Sequence, residues 1–220
     1  IEKGFFYLPG QKIYNLVKVG HLEKVTEKKN VNFEHDFYPF IMANILEGVS
    51  VYKVENKDSH IRLGGNGFGA STYWSLVSMI CGYDDPEKAV EDAIKGNNEL
   101  IDLSVKDIYG GDYDTFGLDS SLIAASFGKL KHVQDMDDVN RQDISRSLMT
   151  LLCVTASQIC GIIAKQELIK NVIIVGNTFE ALEFMQMVQM CVSYYSDETC
   201  NAYFTPYSPF INLIGMILSI

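Results

Sequence analysis

The chain has 220 residues, 47% of them apolar, and a formal net charge of −10. That much apolar material can bury a core without disulfides. The acidic balance argues against a nucleic-acid binder, which needs a basic face to displace counterions from phosphates, but leaves room for a local basic pocket for a small anion. The five cysteines, Cys81, Cys153, Cys160, Cys191 and Cys200, make no CxxC pair and are odd in number. Reduced, buried thiols in a cytoplasmic protein are expected. His21, His35, His60 and His132 share no ligand spacing with the cysteines, so no protein-held metal is expected. No signal peptide opens the chain, and without a starting Met further residues are expected upstream. The most apolar stretches, Leu151–Ala164 and Phe210–Ile220, fall short of the ~20 residues of a membrane span and read as buried helices. No membrane partner is expected.

In chain order, Tyr14–Val19 reads as a strand and Glu23–Asn30 as a solvated helix face or loop. Phe40–Leu46 is apolar except for Asn44, the pattern of a buried strand. Val49–Val54 alternates, and Ser59–Leu63 follows a polar turn, completing a three-strand meander. The glycine-rich Gly64–Gly69 leads into a helix over Ser71–Cys81, stopped by Gly82. Asp85 and Pro86 have the chemistry of a helix cap and first turn. Leu100–Ile108 continues helical and Tyr109–Gly117 is a turn. Arg141–Leu168 reads as a long helix opening with the acidic Asp143. Asn171–Val175 is a buried parallel strand by type. Helix Thr178–Tyr195, strand Ala202–Phe204 and helix Pro209–Ile220 close the chain. A meander followed by alternating helices and strands makes an α/β protein, a mixed sheet with helices packed on it. This is the order of a ribonuclease-H-like lobe.

Four stretches could carry chemistry. Gly64-Gly65-Asn66-Gly67-Phe68-Gly69, between strand and helix, suits either a phosphate cradle or a tight turn ending in a cap. It is not a Walker A loop, for no Gly-Lys-Ser/Thr ends it. Ile108-Tyr109-Gly110-Gly111-Asp112-Tyr113 is a shaped loop for which a structural reading suffices. Ile174-Val175-Gly176-Asn177 ends a buried strand where α/β folds place ligands, or simply terminates it. Arg62 is either an anchor for a carboxylate or half of a surface salt bridge. His35 and His60 read as ordinary surface residues.

From Phe37 onward these stretches, in this order, resemble the eukaryotic (type II) pantothenate kinases. The specific signature is VKDIYGGDYDTFGL (Val105–Leu118) followed by SSLIAASFGKL (Ser120–Leu130). Tyr38-Pro39, Asn44, Gly48-Val49-Ser50, Lys57-Asp58, Arg62, Gly65, Gly69, Thr72 and Val175-Gly176-Asn177 support it. The resemblance implies the actin-like ATPase fold shared by acetate and sugar kinases and actin. Residues 1–38 would be the end of the amino-terminal lobe, and residues 39–220 the carboxyl-terminal lobe with the dimer interface. It implies ATP- and Mg²⁺-dependent phosphorylation of pantothenate, the first committed step of coenzyme A synthesis. It also implies a homodimer and inhibition by acyl-CoA. Ser50 and Arg62 match the pantothenate-binding positions. Ile123 and Ala124 match the loop that covers that site from the neighbouring protomer. Gly65, Gly67, Gly69, Gly176 and Asn177 fall at the nucleotide.

The chain also departs from the family. Leu46-Glu47-Gly48 replaces Gly-Ser-Gly, placing a carboxylate where phosphates are expected. Gly69-Ala70-Ser71 replaces a triple glycine, Val154-Thr155-Ala156-Ser157 replaces Asn-Asn-Ile-Gly, and Pro206-Tyr207-Ser208-Pro209 replaces Glu-His-Glu-Gly. His21 aligns with the family's catalytic Glu. These losses admit two other readings. One is a catalytically impaired subunit that dimerises with an active paralogue; the other is a non-catalytic sensor of pantothenate or acyl-CoA.

Overall fold

The structure is a computed structural model that describes residues 12–18, 26–32, 37–56, 58–135, 138–176 and 181–205. In chain order its strands and helices are β1 (Lys12–Lys18), β2 (Thr26–Asn32), β3 (Phe40–Ile45), β4 (Val49–Asn56), β5 (Ser59–Asn66), α1 (Ala70–Cys81), α2 (Pro86–Lys95), β6 (Leu103–Ser104), α3 (Val105–Tyr109), β7 (Ile123–Ala125), α4 (Arg141–Gln166), β8 (Asn171–Val175), α5 (Leu182–Tyr195) and β9 (Asn201–Phe204). Two compact units form. One holds the described residues up to Thr72 together with those from Cys153 onward; the other is Tyr73–Leu152.

The first unit is built on a seven-stranded mixed sheet of order β2-β1-β9-β8-β3-β4-β5. β3, β8 and β9 run parallel, while β3-β4-β5 form the antiparallel meander. The central strands FIMANI and NVIIV are buried along nearly their whole length. This is why they read as continuous apolar runs rather than alternating ones. At the edge, β5 carries His60 and Arg62 on exposed positions, polar groups that discourage further strand pairing. α5 buries Phe184, Met185, Val188 and Val192, one stripe at helical spacing, and packs against β9. In the second half of α4, Gly161 allows close approach to α5: a Cβ there would stand 3.0 Å from Tyr195 Cβ and Val192 O. Cys153, Cys160 and Cys200 are buried, and the Cys200 thiol donates to Ile169 O at 3.1 Å.

The second unit is helical with a small ribbon. Asp85 caps α2 by accepting the Glu87 N–H at 2.9 Å, with Pro86 at the first turn as its sequence suggests. The carboxylate of Asp92, 2% exposed, accepts from Tyr83 Oη at 3.0 Å and Gln142 Nε2 at 3.2 Å, and Lys88 Nζ lies 3.2 Å away. Burial pushes this carboxyl up, but the hydrogen bonds from Lys88, Tyr83 and Gln142 outweigh that and leave it below its ordinary value. Tyr73 is fully buried; its hydroxyl meets Ser145 Oγ at 3.0 Å, and Ser145 donates to Ala89 O at 3.0 Å.

Several expectations need correcting. Of the charged run Glu23–Asn30, the described residues from Thr26 onward are part of a strand, not a helix face or loop; β2 pairs with all seven residues of β1 and forms the sheet's outer edge. Leu100–Ile108 is not one helix. A 3-10 turn at Asn98–Leu100, the short β6 and the five-residue α3 share that stretch. α4 forms over nearly the expected Arg141–Leu168 span, ending at Gln166, and by length and composition it could cross a membrane. Yet Leu148, Met149, Leu152, Cys153, Ala156, Cys160 and Ala164 are buried inside the protein, as in a core helix. The glycine stretch begins inside β5, which continues through Asn66. His21, Lys57, Asn177, the segment 206–209 and the expected closing helix lie outside the described residues.

Candidate functional site

The carboxyl end of β3 organises the first unit's candidate site. Asn44 pairs with Ser50 on β4 and with Val175 on β8, and Ser50 pairs with Gly65 on β5. Paired residues of adjacent strands share a face, so Asn44, Ser50 and Gly65 stand in one row. Arg62 is three residues from Gly65, and in a regular strand it would point to the opposite face. A bulge intervenes: Val51 pairs with Gly64 but Tyr52 pairs with Arg62, leaving Leu63 as the extra residue. Arg62 therefore shares the face of Tyr52, Ser50 and Gly65. Its Nη2 lies 2.9 Å from where a Cβ on Gly65 would stand, so the guanidinium folds back along the strand over the row. The side chain is exposed, and no described carboxylate pairs with it. The salt-bridge alternative thus finds no support among the described residues. Asn44 Oδ1 is buried in the same row without a hydrogen-bond partner among the described residues.

The glycine stretch follows. Asn66 Oδ1 accepts the Phe68 N–H at 2.9 Å, and Thr72 Oγ1 donates to Gly67 O at 3.0 Å, so the loop is closed by its own side chains. A Cβ on Gly69 would stand 2.4 Å from both Glu47 O and Gly48 Cα. Glycine is required there because the β3–β4 turn lies directly against it. The same contact brings Glu47, whose side chain is exposed, to the rim of the loop. Around Gly67 there is open space, with no atom within 4 Å of where a Cβ would stand. One expectation changes: the first amide of α1, on Ala70, does not face a free anion site but donates to Leu46 O at 2.6 Å. On the other side of β3, Gly176 approaches so closely that a Cβ would stand 2.2 Å from Ile45 O. The structure therefore gathers Ser50, Arg62, Gly65, Gly67, Gly69 and Gly176 at one end of one sheet, where α/β folds place ligands.

Ile123 and Ala124 belong to the second unit, on β7, which pairs with β6. This is the region of the IYGGDY signature, and the structure gives that motif a mechanical account. Ser104 caps α3 in a capping box with Asp107, and Gly110 ends it in the left-handed conformation at φ 82°. Asp107 also takes Lys129 Nζ at 2.8 Å, and Asp112 Oδ1 accepts the Ser120 N–H at 2.8 Å. The hydrogen bond from Lys129, then those from Ser104, hold the Asp107 carboxyl well below the usual carboxylate range. Tyr109 and Tyr113 stack at 4.2 Å and Phe116 lies 5.2 Å from Tyr113. Tyr109, Phe116 and Ile108 remain exposed. Sequence reasoning missed the aspartates as a set, although Ser104-x-x-Asp107 is a readable capping-box signal.

Comparison with known proteins now bears on this arrangement. Residues 3–219 match the model of the Fumble family. The chain is 31% identical over 199 residues to the pantothenate kinase of Schizosaccharomyces pombe, covering 89% of this chain and 49% of that protein. It is 32% identical over 197 residues to pantothenate kinase 1 of Arabidopsis thaliana, covering 88% of this chain and 51% of that protein. Against pantothenate kinase 2 of Arabidopsis thaliana the identity is 32%, over 88% of this chain and 22% of that protein. The chain thus spans about half the length, or less, of the curated relatives it matches. With a family model matched across nearly its whole length, the chain belongs to the Fumble family, the type II pantothenate kinases.

Proposed function

We propose that this chain is the pantothenate-binding, carboxyl-terminal part of a kinase that phosphorylates pantothenate with ATP at the entry to coenzyme A synthesis. The observation that carries this reading is the Arg62 guanidinium, without a carboxylate partner among the described residues and folded over Gly65 on the face that bears Ser50. It is a fork-shaped cation beside a hydroxyl at the carboxyl end of the central strand. That suits the carboxylate of a small acid. The strand order supports the finer fold reading. A meander with its first strand inside, followed by two parallel strands, is the ribonuclease-H-like order of the actin-like ATPases. On that reading residues 39–220 are the carboxyl-terminal lobe and residues 1–38 flank the amino-terminal one. ATP would meet Gly65, Gly67, Gly69, Gly176 and Asn177, with the phosphates over the open Gly67. Mg²⁺ would arrive on the nucleotide phosphates, an arrangement that needs only one or two protein oxygens. His21 stays the candidate base. A cytoplasmic, dimeric protein sensitive to acyl-CoA completes the proposal, with Ile123 and Ala124 covering the partner's acid site.

One observation favours a second reading, a catalytically impaired subunit paired with an active paralogue. The Glu47 backbone packs on Gly69 and its side chain is exposed, so the turn that lies against the loop proposed for phosphates carries a carboxylate. Like charges close together in a cleft repel unless a cation intervenes. The deciding experiment is ATP-dependent phosphorylation of pantothenate by the isolated full-length protein. Turnover by the homodimer supports the kinase and removes the impaired-subunit reading. Absence of turnover, with activity gained on adding a paralogue, favours the impaired subunit instead.

A further inference from the structure

Asp102 is 3% exposed in the second unit, where a carboxylate persists only if its oxygens are satisfied. Its Oδ1 accepts the Ser147 hydroxyl and the Phe127 N–H, the latter at 2.9 Å, and its Oδ2 accepts Asn98 Nδ2 at 3.0 Å. Ser147 on α4 and Asn98 in the 3-10 turn are parts of rigid elements. Phe127 is different. It lies two residues after β7 and has φ 60°, a left-handed conformation that a bulky residue adopts only when its surroundings enforce it. Its neighbour is equally constrained: a Cβ on Gly128 would stand 2.7 Å from Leu103 Cβ and 3.0 Å from Ala125 O. The Gly128 and Leu130 amides close tight turns on Ala125 O and Phe127 O, both at 3.1 Å. Lys129 returns the chain to Ile101 O through its N–H at 3.0 Å. Among the hydrogen bonds of the described residues, the one from the Phe127 N–H to Asp102 ties the left-handed residue to the buried core.

We infer that Asp102 is a positioning residue: its carboxylate holds Phe127 in the left-handed conformation and so sets the place of Ile123 and Ala124. This rests on the reading of Ile123-Ala124 as the cover of an acid site and deepens it. Without the anchor, Phe127 relaxes to negative φ and the chain reverses differently two residues after β7. The β6–β7 ribbon has two register pairs, Leu103↔Ala125 and Ser104↔Ile123, and the Val105 and Lys106 amides on Leu122 O and Ser120 O hold the side that precedes β7; the side that follows it turns on Phe127.

The test uses the full-length protein with two readouts, amide hydrogen exchange of residues 122–128 and the pantothenate KM. Asp102→Ala removes the acceptor of the Phe127 N–H and should lower exchange protection of that segment about tenfold. Protection in α4 should change much less, and KM should rise more than kcat falls. Adding Phe127→Gly, which accepts positive φ without strain, should recover part of both losses. Ser147→Ala, which leaves the Phe127 bond in place, should leave the segment's protection near that of the wild type. Equal loss of protection throughout Tyr73–Leu152, or no recovery with Phe127→Gly, overturns the inference and makes Asp102 a plain core residue. The exchange arm needs no substrate. Failure of the wild-type protein to turn over pantothenate would therefore count against the proposed function, while exchange still decides the role of Asp102.

Discussion

Replacing Arg62 by Ala separates a binding role from a structural one, because the structure makes different demands in the two cases. The guanidinium is exposed and unpaired among the described carboxylates, so its removal strands no buried partner. Folding stability should stay within about 0.5 kcal/mol of the wild type. A bound carboxylate, by contrast, loses charge-assisted hydrogen bonds that contribute about 1.5–3 kcal/mol. Exposure and salt screening put the effect near the lower end, so pantothenate affinity should fall about tenfold. Arg62→Lys keeps the charge but not the two-pronged geometry and should recover only part of the loss. Calorimetric titration of full-length protein with pantothenate, beside urea denaturation of each variant, reads both quantities. Raising the salt toward 1 M should shrink the difference between wild type and Arg62→Ala. Unchanged affinity in Arg62→Ala, or loss of affinity matched by loss of fold, would refute the assignment.

Four further outcomes are expected. Glu47→Ser combined with Ser71→Gly should raise ATP affinity several-fold in a nucleotide titration; no change would show that the Glu47 carboxylate does not oppose phosphate. Gly69→Ala should destabilise the protein by about 1–3 kcal/mol in urea, since its Cβ meets the Glu47–Gly48 backbone, whereas Gly67→Ala should cost well under 1 kcal/mol. Asp107 has its pKa lowered by Lys129 and Ser104 from an ordinary 3.8, so its stabilisation is complete above that pH and is lost as pH falls toward the lower folded value. Asp107→Asn should accordingly flatten the acid limb of a stability-versus-pH curve. Burial pushes the Cys160 thiol up to about 12, so alkylation near neutral pH, read by mass spectrometry, should spare it until denaturant is added.

The strands and long helices were legible where burial imposes a period. β3 and β8 announce themselves because both faces are covered, and α4 because apolar positions recur along it. β2 was not legible, since the outermost strand of a sheet is under the weakest demand for apolar alternation and its TEKKNVN reads as solvated chain. β6 and β7, two and three residues long, fall below any periodic window. The division into two units left no mark in composition, because its boundaries fall inside α1 and α4 rather than in linkers. At the site, residue types were readable but their geometry was not. Alternation would have put Arg62 and Gly65 on opposite faces, and only the bulge at Leu63 brings them together. The Asp102–Phe127 clamp spans 25 residues and depends on a left-handed residue that is not glycine, which sequence alone does not flag.

The glycines of the first unit bear on how the active-site departures should be weighed. Gly65, Gly69 and Gly176 each face backbone oxygen at 2.1–2.4 Å from a would-be Cβ, so the sheet-end geometry requires them whether or not a phosphate ever binds. Their presence therefore shows that the frame is intact and carries no information about catalysis. Gly67 is the contrary case: it has open space, and packing gives no reason for glycine there. Ala70 and Ser71 lie where α1 begins, and Ala70 already gives its amide to Leu46. The cost of those two replacements is thus at most a loss of close approach, while Glu47 adds an acidic side chain to the turn against the loop. Charge acts over several ångströms and a methyl group does not. Among the departures it is Glu47, rather than the altered glycine run, that should decide whether this chain transfers phosphate unaided.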